Sequence, residues 1–131
     1  MTETPELTSL PISPAEAAAM LRAVFTLFTL WDVSDAEGRM LLGEPSASMY
    51  ERWKSGDVYA VSHDTVFRMA DLIGVHGALR YMFADPSQGH AWLRKPNLAF
   101  GGRSALDRML AGAPSDITSV RACLDAERNA W

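Results

Sequence analysis

A chain of 131 residues, 48% hydrophobic with a mean hydropathy of −0.04 and a net charge of −4, has the make-up of an ordinary soluble globular protein. It holds no apolar run near the ~20 residues a membrane span needs; the longest, 23–31, is broken by Thr26 and Thr29. The acidic start MTETPEL is unlike a secretory signal, and the single Cys123 allows no internal disulfide and fits a reducing cytosol.

Residues 1–12, with two prolines and two acids, read as a flexible leader. Ser13-Pro14-Ala15-Glu16 is a capping box with proline at the first helical position. The helix it opens should run to about Trp31. Ala17, Met20, Leu21, Val24, Phe28 and Trp31 give it one apolar face, which Phe25, Leu27 and Leu30 widen. Such breadth predicts burial on more than one side, or a self-pairing surface.

Ser34 and Glu37 form a second capping box, whose short helix stops at Gly43. After the Glu44-Pro45-Ser46 turn, Ser48 to Glu51 reads as a third cap, opening a helix that ends near Gly56. Two short helices around a tight turn make a helix-turn-helix, whose second helix leads into a DNA groove with its N-terminal side chains. Those would be Ser46, Ser48, Met49 and Tyr50, with Arg52 and Lys54 for phosphates and Trp53 packed inward. A plain three-helix packing unit explains the pattern equally well. Charge argues against strong DNA binding: residues 1–58 carry a net −5 and residues 59–131 a net +1.

Ser62 should cap a helix with Val66, Met69, Ala70 and Ile73 on one face, broken by Gly74. A further helix spans Val75 to Phe83. Asp85-Pro86-Ser87 is a turn from which Ser87 caps a short helix reaching Trp92. The stretch from Trp92 to Gly112, WLRKPNLAFGGRSALDRMLAG, organises the rest. Pro96 ends one helix, Gly101 and Gly102 permit unusual backbone angles, and Ser104 with Asp107 starts another running to Ala111. The loop between carries Asn97, Phe100 and Arg103. It is either a well-made connector or a binding loop. Arg103 either pairs with Asp107 or reaches a partner. Ser115 caps the last helix, lined by Ile117, Val120 and Leu124 and fraying over the final residues. No strand-like alternation, repeat or low-complexity tract is present, so the fold is read as all-α.

No chemistry-bearing constellation is legible. His63, His76 and His90 are too far apart to suggest a metal site, and Gly101-Gly102 lacks the lysine of a phosphate loop. Asp32 with Asp35, and Asp125 with Glu127, read as solvated carboxylates. The terminal Trp131 either folds back or anchors a partner. These features predict no cofactor, no metal and no catalytic residue.

The segment W-L-R-x-P-N-x-A-F-G-G-R-S-A-L-x-x-M-L-x-G at Trp92 to Gly112 resembles the signature of the Xre/MbcA/ParS antitoxin family. The likeness extends upstream through 66–74 and 78–80 and downstream through 120–127. The resemblance implies an Xre-like helix-turn-helix region at 13–61 and a toxin-binding domain at 62–131. It implies the cytoplasmic antitoxin of a type II toxin–antitoxin pair, with a RES-domain toxin that consumes NAD by phosphorolysis, hydrolysis or ADP-ribosyl transfer. The antitoxin would cover the NAD pocket, dimerise within the complex, and repress its operator DNA. Carried onto this chain, the toxin-facing residues would be Trp92, Asn97, Phe100, Gly101, Gly102, Arg103, Asp125, Arg128 and Trp131. A DNA-binding regulator dimerising through its C-terminal half is the alternative.

Overall fold

The computed structural model describes residues 12–129. Among the described residues the chain forms seven α-helices, one 3-10 turn and no strand, so the all-α expectation holds. The helices are α1 (Pro14–Leu30), α2 (Asp35–Leu41), α3 (Ala47–Lys54), α4 (His63–Met82), α5 (Pro86–Arg94), α6 (Ala105–Met109) and α7 (Pro114–Asn129). The first two capping boxes form as the sequence indicates: Ser13 with Glu16, and Ser34 with Glu37, each satisfying two otherwise orphaned backbone donors.

Two starts differ from expectation. Ser46, not Ser48, caps α3, its Oγ accepting from the Met49 backbone N–H at 3.0 Å. Ser48 is left exposed in the first turn. Asp85, not Ser87, caps α5, with Pro86 at the first helical position, where a missing N–H costs nothing.

The largest departure is α4, which runs unbroken through Gly74 for 20 residues. Gly74 is there for space rather than for a turn. The Arg121 guanidinium of α7 lies across it, and a Cβ would collide with that group. Arg121 then reaches Asp71 at 3.1 Å, joining the two longest-paired helices. The apolar stripe of Met69, Leu72 and Val75 faces Ile117, Val120 and Leu124, all fully buried. On packing terms the glycine's propensity cost of ~1 kcal/mol is outweighed, since each such side chain contributes about 1.5–3 kcal/mol when buried.

One buried cluster draws on every helix, from Leu21 and Phe28 of α1 to Leu124 of α7. Residues 13–61 and 62–129 therefore share a core. Of the residues widening the α1 face, Leu27 is buried and Phe25 partly so, whereas Leu30 is exposed.

Tyr50 belongs to this core. It is 2% exposed, meets Phe25 edge-on at 5.3 Å, and its hydroxyl sits over Gly38, leaving no room for a Cβ there. A groove-facing role for Tyr50 is thus corrected: α3 turns this side chain inward to close against α2. Burial, then the Asp35 and Glu51 charges, raise its pKa from 10.0 to about 12. The neutral phenol is the form the fold favours. Its contribution should be intact below pH 10 and lost as pH rises from there toward 12. A tyrosinate absorbance titration should show one of the three tyrosines ionising only near pH 12 in the folded chain.

Candidate protein-binding site

The 96–104 loop is a closed unit held by its own backbone. The Asn97 N–H donates to the Arg103 carbonyl at 3.0 Å, and the Gly102 N–H returns a bond to the Asn97 carbonyl at 2.9 Å. The Asn97 side chain accepts from the Ala99 N–H, starting the 3-10 turn Leu98–Phe100. Pro96 and Ser104 meet as an isolated antiparallel bridge, and Ser104 caps α6. Gly101 and Gly102 have φ of +67° and +86°, which most side chains tolerate poorly. Nothing crowds either glycine, so the requirement is for angle alone. Gly102→Ala should lower the free energy of unfolding by about 1 kcal/mol in a urea titration, through strain without a clash.

Underneath, Phe100 is buried and packs edge-on against Trp92 at 6.4 Å. These two support the loop from beneath, and Phe100 itself offers little surface to a partner. Arg94, in the same signature, donates to the Trp31 and Asp32 carbonyls at 2.8 and 2.7 Å, tying the end of α5 to the end of α1. A rigid loop is thereby fixed to a rigid body.

What the loop presents is Leu98, 94% exposed at its tip, flanked by Gly101, Gly102 and Arg103. Leu98 was not singled out from the sequence. The available signal was an apolar residue between proline and a glycine pair, at a position no helical face claims. Arg103 makes no ion pair with Asp107 or with any other acid among the described residues.

Asp125 and Arg128 lie elsewhere. They border a shallow groove of about 430 Å³ between α4 and α7, over Gly74 and Gly77. Asp125 sits 3.9 Å from Arg121, and Arg128 stacks on the exposed Tyr81 ring at 4.6 Å. The loop and this groove do not share lining residues. Trp131 lies outside the described residues.

On the helix-turn-helix side, Ser46, Ser48, Arg52 and Lys54 are exposed. Both cations have carboxylates beside them: Arg52 holds Asp57 and Lys54 holds Asp35, each at 3.1 Å. No cluster of three or more His, Cys, Asp or Glu suited to a metal ion occurs among the described residues, and no helix there is long and apolar enough to cross a membrane.

A helical body thus fixes an apolar-tipped, internally satisfied loop in solvent. Residues 78–129, which include that loop, match the model of the antitoxin Xre/MbcA/ParS C-terminal toxin-binding domain. Over 128 residues the chain is 37% identical to an uncharacterised protein of Sinorhizobium fredii, y4oB, with 98% of each chain covered. No solved structure matches. Over residues 78–129 the chain is thus similar to an antitoxin toxin-binding domain, and over nearly its whole length to a protein of uncharacterised role.

Proposed function

We propose that this chain neutralises a RES-domain, NAD-consuming toxin by covering its NAD site. The observation that carries the reading is the position of the exposed Leu98 and unpaired Arg103 on a stiff loop inside the matched toxin-binding region. Arginine is enriched at interface hot spots, and the exposed leucine beside it offers apolar area to bury on docking. The end of α7 supplies a second contact: Asp125 and Arg128 precede Trp131, and a carboxylate with an indole would fit a site made for pyrophosphate and a planar ring.

The direct test is co-purification with the product of the neighbouring reading frame, followed by an NAD-consumption assay. The full chain should form a stable complex and stop NAD loss. A chain lacking Asn129 to Trp131 should still bind through the loop yet protect less. Failure to form any complex, or NAD loss undiminished by the full chain, would remove the reading.

Operator binding by α2 and α3 is a second proposed role, in the cytoplasm and as part of a dimer for which Leu30 on α1 is an exposed apolar residue. The ion pairs on Arg52 and Lys54 weigh against strong DNA affinity by the single chain, because those cations must first leave their carboxylates.

A further inference from the structure

A small cavity of about 70 Å³ lies between α4 and α5, with His76 and Arg80 on one wall, His90 on the other, and Leu79 and Phe83 lining it. That is room for one small polyatomic ion, since a single water needs about 10–15 Å³ on this measure. Three basic side chains meet there without an acid among the lining residues. Arg39, Arg52, Arg68, Arg94, Arg108 and Arg121 each hold a carbonyl or carboxylate. Arg80, His76 and His90 hold none among the described residues, in a protein with 16 acids and 12 lysines and arginines.

The neighbouring charges are accounted for. Asp85, at the start of α5, is turned to its own cap, accepting from the Ser87 N–H at 3.0 Å and the Ser87 hydroxyl at 2.9 Å. Arg121 and Asp71, where α7 meets α4, satisfy each other. Among the described residues, no acid pairs with the trio.

We propose that this cavity binds a small oxyanion, a phosphate or a carboxylate, between the Arg80 guanidinium and the imidazolium forms of His76 and His90. An oxyanion offers several acceptors to a planar guanidinium and two ring N–H donors, which are the charge-assisted bonds these groups lack internally. In the empty cavity, burial and then the Arg80 and His90 charges lower the His76 pKa from 6.5. A bound anion reverses that balance and favours the charged ring. Affinity therefore rises as pH falls, because binding takes up protons.

The experiment is an imidazole NMR titration of the full chain with inorganic phosphate, and in parallel with acetate, at constant ionic strength. Phosphate or acetate should shift His76 and His90 saturably, leave His63 in place and raise the His76 pKa, and acetate, whose own charge is constant over this range, should bind about tenfold more weakly at pH 8 than at pH 6. Arg80→Ala, an exposed substitution, should abolish the saturable shift, and His90→Gln should reduce it. A response to phosphate alone identifies free phosphate as the ligand, and one to acetate alone a polypeptide carboxylate. All three histidines moving together, no saturable response to either anion, or an unaltered response in Arg80→Ala overturns the proposal.

Discussion

Leu98→Asp combined with Arg103→Glu is expected to weaken the complex with the cognate toxin about a hundredfold, roughly 2.7 kcal/mol, while leaving thermal unfolding of the free chain unchanged. Stability should not move because Leu98 is almost wholly in solvent and Arg103 pairs with no acid among the described residues. Affinity should move because burying a leucine on binding contributes about 1.5–3 kcal/mol, and a carboxylate in the same pocket must be desolvated instead. The loop pays little ordering entropy on docking, since its backbone bonds are already made. Calorimetry on the double variant and on Arg103→Ala separates the contributions. An intrachain pair with Asp107 would have predicted almost no loss for Arg103→Ala; without that pair, the loss reports the interface. An unchanged Kd for the double variant would place the toxin contact elsewhere on the 78–129 surface.

Local signals explain most of what the sequence made legible. Caps, prolines and three- to four-residue apolar spacing placed the helices, and the 92–112 signature placed the loop. What stayed hidden depended on contacts between distant elements. Gly74 looks like a helix breaker until Arg121, 47 positions later in the chain, is seen lying across it. Tyr50 looks like a groove-reading residue until Gly38 vacates the space its hydroxyl fills. Ser46 and Ser48 are equally good caps by composition, and in the fold Ser46 takes the position. Asp85 and Ser87 are the same kind of choice. At the loop, glycines and aromatics drew notice because their chemistry is distinctive. The aromatics proved to be partly or fully buried supports, and the plain aliphatic Leu98 proved to be the exposed group. Residue type reports what a side chain is able to do, whereas only packing decides which of them is left facing a partner.

Arg68→Ala is expected to cost about 3 kcal/mol of folding stability, the largest effect of any polar substitution proposed. Arg68 is 5% exposed on α4 and reaches three directions: Nε donates to Asp64 at 2.8 Å, Nη2 to the Gly112 carbonyl at 2.9 Å, and Nη1 toward the Met40 carbonyl at 3.5 Å. It thus ties the end of α2 and the turn before α7 to one helix. Truncation leaves those carbonyls short of a donor and opens a void where the guanidinium was. Arg68→Lys should recover only part of the loss, because an ammonium can face Asp64 but cannot fork to three acceptors. Asp64→Ala should cost under about 1 kcal/mol, since that carboxylate is well exposed and its attraction is screened. Urea unfolding gives the three values. Equal losses for Arg68→Ala and Asp64→Ala would mean that the ion pair, not the reach to the two carbonyls, is what stabilises the fold. Amide exchange supplies the independent check: in Arg68→Ala, protection should fall together in α2 and near Gly112, which are far apart in sequence and joined through this side chain.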